Sequence, residues 1–224
     1  MKRAIAWGTL VFALTLLAQL PAAFIVRQIN WPSGWQPNGV SGSLWNGHAS
    51  EVGALAPVQW AVRPWAREVQ VNLGFQQRIW ELSIHGWPWN WQAQLAPRAV
   101  SAVAPPMFVL DGAWDGRLQV NGAGANCRTA AGALVGDDLA LLSPWLLNLG
   151  STRLELQCSG GLRLLADLQL PAQHRFKINA DLQRQRLQID GQVEAGAAVT
   201  PLLVQARWLQ ASEQTFSKVL GRRH

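Results

Sequence analysis

The sequence contains no tyrosine, and only two cysteines, two methionines and four histidines in 224 residues. Lysine is nearly as scarce, standing at positions 2, 177 and 218. Exposed amphipathic helices usually carry Lys and Glu. Their shortage, beside 13 Trp, 20 Gly and 12 Pro, suits short strands and turns instead. Basic residues do not cluster, apart from Arg184/Arg186 and the Gly221-Arg222-Arg223-His224 tail. A nucleic-acid binder gathers them on a face or stripe, so no nucleic-acid partner is expected. The net charge of +6 includes Lys2 and Arg3; the remainder fits mild attraction to an anionic membrane surface.

Catalytic signatures are missing too. There is no G-x-S-x-G, no Walker loop, no H-E-x-x-H and no dinucleotide glycine fingerprint. The histidines, His48, His85, His174 and His224, show no ligand spacing, and two cysteines are too few for a metal site of their own. Asp111 and Asp115 flank Gly112 and Gly116 and read as solvated turn positions. Asp137-Asp138 reads as a helix start. No catalytic residue, metal or cofactor is expected, and the chain reads as a non-enzyme.

What the sequence does have is one long apolar run, Ala4 to Val26, without a charged residue. As a single helix it would extend roughly 34 Å, enough to cross a hydrocarbon core of about 30 Å. Lys2 and Arg3 precede it, which keeps the N-terminus cytoplasmic and exports the chain beyond Val26. The alternative is a cleaved signal peptide, which the Gln19-Leu20-Pro21-Ala22-Ala23 stretch resembles without a clean A-x-A. The expected organisation is a cytoplasmic N-terminus at 1–3, a transmembrane signal anchor at 4–26, a connector at 27–38 and an exported β domain at 39–224. Trp31 and Trp35 in the connector fit either the outer membrane interface or the start of the core.

Alternation with period two runs through the exported part. Val58, Trp60 and Val62 share a face. Val69, Val71, Leu73 and Phe75 oppose Glu68, Gln70 and Asn72. Trp80, Leu82 and Ile84 oppose Ile79, Ser83 and His85. Further strands are expected over Leu110–Asn121, Ala125–Val135, Ser151–Cys158, Leu162–Leu170, His174–Leu182, Arg186–Val193 and Leu202–Leu209, with Gly160-Gly161 and Arg184-Gln185 as turns. Short helices are expected over Asp137–Leu149 and Ser212–Leu220. Pro97 to Pro106 is a small-residue and proline break. Val40–Gly47 and Leu110–Gly116 echo one another, which suggests repeated β units. The fold class is all-β: an antiparallel, curved or extended sheet with one or two short helices, behind a single N-terminal transmembrane helix.

Two features invite a functional reading. Trp87, Trp89 and Trp91 stand two apart, so on an extended chain they project to one side. They form either a stacking platform for a sugar, base or peptide, or the core face of one strand. Cys127 and Cys158 in an oxidising compartment point to one disulfide closing a loop of about 30 residues, with two buried thiols as the alternative.

The anchor, the GVSGSLWNG segment after it, the PVQWAVRPW strand, the two cysteines with Cys158 in LELQCSGGLRLLADL, and the terminal hairpins together resemble the type II secretion system protein N family of Gram-negative bacteria. The resemblance implies a single-pass inner-membrane accessory component. Its periplasmic β domain would meet the inner-membrane assembly and the outer-membrane secretin. The chain is also similar to the AsmA-like anchored periplasmic β proteins, whose curved sheets hold lipid in an apolar groove. These likenesses imply two alternative functions: a protein–protein scaffold, and a lipid binder or conduit.

Overall fold

The computed structural model describes residues 5, 7–9, 11–12, 15–16, 19–32, 34–76, 78–100, 109–143, 146–210 and 212–221, and the side chains of all these but 99 and 100. The chain divides into two compact units. The first is Met1–His85 with Arg98–Val103; the second is Gly86–Pro97 with Ala104–His224.

In the first unit the described residues between 5 and 16 are helical. Thr9 and Thr15 return their hydroxyls to the Ile5 and Val11 carbonyls at 3.0 and 2.9 Å. The helix does not continue through Val26. Pro21 is extended, with φ −67° and ψ 132°, and a separate helix, α1, runs over Ala22–Gln28. Proline lacks the amide that would continue the ladder and disfavours helical geometry in the residue before it. Among the described residues no helix is long and apolar enough to cross a membrane. Positions 4, 6, 10, 13, 14, 17 and 18 of the expected anchor lie outside the described residues.

The strands of the first unit are β1 (Pro37–Asn38), β2 (Ser41–Gly42), β3 (Asn46–Ala49), β4 (Glu51–Val52), β5 (Val58–Arg63), β6 (Glu68–Phe75) and β7 (Arg78–Trp87), the last belonging to it as far as His85. β1 pairs with β4. β2, β3, β5, β6 and β7 form an antiparallel run in that order. Opposed residues share a face. The pairs Val58↔Leu73, Trp60↔Val71 and Val62↔Val69, continued by Val69↔Ile84, Val71↔Leu82 and Leu73↔Trp80, therefore make one apolar face, as the alternation predicts. Gly47 opposes Trp60. A Cβ there would collide with the indole, so glycine lets the ring lie on the strand.

The second unit holds β8 (Asn90–Val100, to Pro97), β9 (Val109–Ala123), β10 (Asn126–Ser143), β11 (Leu147–Cys158), β12 (Leu162–Leu170), β13 (His174–Asp181), β14 (Arg186–Val193), helix α2 (Thr200–Gln205) and β15 (Thr215–Gly221). Each strand pairs antiparallel with the next in sequence. Leu134↔Leu154, Leu154↔Ala166, Ala166↔Ile178 and Ile178↔Ile189 carry one apolar row across five strands. Arg153↔Asp167 and Asp167↔Lys177 mark the polar face behind it. At one end α2 lays Leu202 and Leu203 against a core of Leu147, Phe176, Val193, Ala197 and Val199.

Three expectations fail here. Asp137–Leu149 is not a helix: it is the end of β10 and the start of β11, with a bulge where Asp138 takes φ +52°. Positions 144 and 145 lie outside the described residues, and β9 offers Asp111 and Leu110 as ladder partners to Ala140 and Leu141. Ser212–Leu220 is not a helix turn but contains β15, drawn out by the free side of β14. Leu202–Leu209 is not a strand; Pro201 in the first turn starts α2. The echoed segments also differ. Val40–Gly47 turns between β2 and β3, whereas Leu110–Gly116 lies within β9. Of the proline-rich break, 101–108 lies outside the described residues, and Pro97 sits within β8.

Candidate docking surface

The outer strands of the two units end differently. In the first unit the outer strand β2 is covered: Pro21 bridges to Ser43, and the Leu44 amide donates to the Leu20 carbonyl at 3.0 Å. In the second unit β15 is the terminal strand, paired on its β14 side alone among the described residues. The Val193 amide donates to the Gln214 carbonyl at 2.7 Å, which fixes the alternation of the antiparallel ladder. Phe216, Lys218 and Leu220 therefore turn their backbone groups toward β14. Ser217 and Val219 turn theirs outward. Val219 is 53 % exposed, and no described residue pairs with this side of β15. Lys218, opposite Ile189 on the apolar face, is the kind of charge that discourages indiscriminate edge pairing.

Trp87, Trp89 and Trp91 do not share one strand. Trp87 ends β7, Trp89 occupies the turn and Trp91 lies in β8. Trp87 and Trp89 stack across the turn, with ring centroids 5.1 Å apart and planes within 8°. Both are exposed, at 43 % and 65 %. Trp91 is half-buried, lies over Gly122 and donates its indole N–H to the Gly124 carbonyl at 3.0 Å. The Gly124 amide in turn donates to Pro88 at 2.6 Å, which ties the β7–β8 and β9–β10 turns together. At the same end Gln183 donates to the Ala125 carbonyl at 2.8 Å. Cys127 and Cys158 are joined in a disulfide there, with Cα atoms 5.4 Å apart.

Among the described residues, His174 is the titratable group buried in the second unit. It stacks on Phe176 at 4.9 Å and donates from Nε2 to the Leu149 carbonyl at 3.3 Å. Burial pushes its pKa below the ordinary imidazole value, and the carbonyl bond opposes that only in part. Neither the histidine spacing nor the composition drew attention to it; the alternation His174, Phe176, Ile178 is the signal that places it on the core face. On the polar face, Arg175 pairs with Asp167, and Arg153 pairs with Glu155 at 2.6 Å. Asp190 is held below the usual carboxylate range, first by the Ser217 hydroxyl and then by Gln188, against a small cost of burial and with help from Lys177. These exposed pairs are worth little individually.

Asp111 and Asp115 are exposed on β9, where Asp111 accepts the Gly112 amide at 2.8 Å. Asp137 and Asp138 sit exposed at the β10 bulge. No group of three or more metal-ligating side chains comes together among the described residues. The described residues present a strand edge with no partner among them, a row of apolar pairs and an exposed aromatic turn.

The class is thus an antiparallel β protein, whose second unit pairs each strand with the next in sequence. The family model of the type II secretion system protein N matches residues 33–210, and the chain belongs to that family. Neither the curated proteins nor the solved structures contain a match. The chain is accordingly an accessory component of type II secretion.

Proposed function

We propose that the chain is a non-enzymatic docking component, anchored in the inner membrane through residues 4–26 and carrying its β units in the periplasm. Lys2 and Arg3 set that orientation. It recruits inner-membrane components or the outer-membrane secretin by strand addition to β15. The observation that carries this reading is the open outer edge of β15, with the Ser217 and Val219 amides turned away from β14. The stacked Trp87–Trp89 pair supplies an apolar rim of the sort that anchors an interface.

Photo-crosslinking in living cells from residues placed at 217 and 219 tests it. Capture of secretion-system components, together with accumulation of secreted proteins in the periplasm of a deletion strain, is the expected result. Normal export in the deletion strain sinks the proposal.

A second reading, lipid binding, draws on the apolar row from Leu134 to Ile189 and on a hollow of about 440 Å³ beside α2, lined by Leu202, Leu203, Gln205, Ala206 and Trp208. Lipid recovered by the same crosslinking, and not protein, would favour it.

A further inference from the structure

Trp65 is 84 % exposed at the tip of the turn between β5 and β6. An indole so exposed costs free energy in water unless something covers it. The turn holds it in place: Pro64 starts a short 3₁₀ helix over Pro64–Ala66, and the Arg67 amide closes on the Pro64 carbonyl at 3.1 Å. Two residues before Trp65, Arg63 pairs with Glu68 at 3.4 Å.

The register of the first unit says where this tip lies. The Val62 amide donates to the Trp45 carbonyl at 2.6 Å, and the Trp60 indole donates to the Ser43 carbonyl at 3.3 Å. The 43–45 turn therefore sits at the end of β5 from which Trp65 projects. That same turn receives the N-terminal segment, through the Leu44 amide on Leu20 and the Pro21–Ser43 bridge. Trp65 is three residues beyond Val62, about 10 Å of extended chain. Just upstream of Leu20, the helical residues expose Ile5, Trp7, Val11, Phe12 and Leu16. The apolar segment and the exposed indole thus both lie toward the same end of β5. Trp35 is placed differently. It packs against Gly53, in the turn beyond β4, at the opposite end of β5.

We infer that Trp65 is an interfacial anchor: its indole enters the headgroup region of the phospholipid bilayer that holds the N-terminal segment. Trp suits that layer because its ring is apolar and its N–H is wet. Two contacts, the segment and the ring, then fix the tilt of the first unit on the membrane, where the segment alone would leave it free to swing. The inference rests on the anchoring of residues 4–26.

The test uses the full chain reconstituted in vesicles of phosphatidylethanolamine and phosphatidylglycerol. Trp65→Cys, Ala54→Cys and Val11→Cys variants each carry one environment-sensitive fluorophore. Ala54 is the control, exposed in the turn at the other end of β5. Lipids bear a nitroxide either near the headgroup or deep in the acyl chain. The label at position 65 should lose about half its fluorescence to the shallow nitroxide, and the label at 54 should lose almost none. Equal quenching at 65 and 54, or none at 65 while the label at 11 is quenched by the deep nitroxide, overturns the inference and leaves the anchor standing. No quenching at 11 removes the anchor and the inference with it.

Discussion

Phe216 on β15 lies over Gly191 on β14, its directly opposed partner. A Cβ at 191 would fall inside the van der Waals surface of the ring. The same ring tilts against Phe176 at 5.9 Å and Trp208 at 5.8 Å, so it joins the outermost strand to the core beneath α2. Gly191→Val should therefore lift Phe216 and loosen β15, at a cost of about 1–3 kcal/mol. Hydrogen exchange checks this locally. The Phe216 and Lys218 amides, which face β14, should lose protection, while those of β11 and β12 keep it.

The disulfide clamps the turn-bearing end of the second unit. The β10–β11 ladder ends at Ala133↔Glu155, so Cys127 and Cys158 fasten chain beyond its last paired residues. They are 31 apart in sequence. A Cys127→Ser/Cys158→Ser variant should lose about 3–4 kcal/mol in the chain-entropy account. Urea unfolding with and without a thiol reductant measures it. The reductant should lower the midpoint of the parent chain and leave that of the double variant unchanged.

Much of this architecture is legible in the sequence, because one buried face per strand leaves a period-two record. Val58–Val62, Val69–Phe75 and Trp80–Ile84 put their alternating apolar residues on one shared face, as the register has them. Period alone, however, does not say which element a short apolar stretch becomes. Leu202–Leu209 alternates like a strand, yet Pro201 starts a helix there. Thr215–Leu220 alternates equally well, but Ser212 looks like a helix cap and conceals the edge strand. At Trp87, Trp89 and Trp91 the spacing is that of one extended strand, but the three residues do not lie on one strand. Gly86, at φ +111°, leads into the Pro88–Trp89 turn, and the first two rings stack with each other across it rather than line a strand. The open edge of β15 has no sequence mark at all, since it depends on what does not pair with it.

His174 gives the fold a pH dependence with a definite sign. Its folded pKa is lowered, so between that value and the ordinary one near 6.5 the unfolded chain binds more protons than the folded one. The stability it supports is complete above about pH 7 and falls as the pH drops below about 6.5 toward the folded pKa. Below the folded pKa the loss levels off. His174→Gln keeps a donor for the Leu149 carbonyl and removes the titration. Thermal unfolding followed by circular dichroism should show the melting temperature of the parent chain declining from about pH 7 to about pH 5, with a shallower decline in the variant.

The two sides of β15 can be separated by proline, which removes one amide at a chosen position. At Val219 the lost amide points away from β14, so Val219→Pro removes a donor that the folded unit does not use. At Lys218 the lost amide is a ladder donor toward Ile189, so Lys218→Pro should cost about 1–3 kcal/mol. If partners dock by adding a strand, Val219→Pro should leave the melting temperature nearly unchanged, abolish crosslinking to secretion components from position 217, and reduce export as the deletion does. Lys218→Pro should lower the melting temperature measurably. A Val219→Pro chain that folds, crosslinks and supports export as the parent does would exclude strand addition at this edge, and would move attention to the Trp87–Trp89 rim and the apolar face.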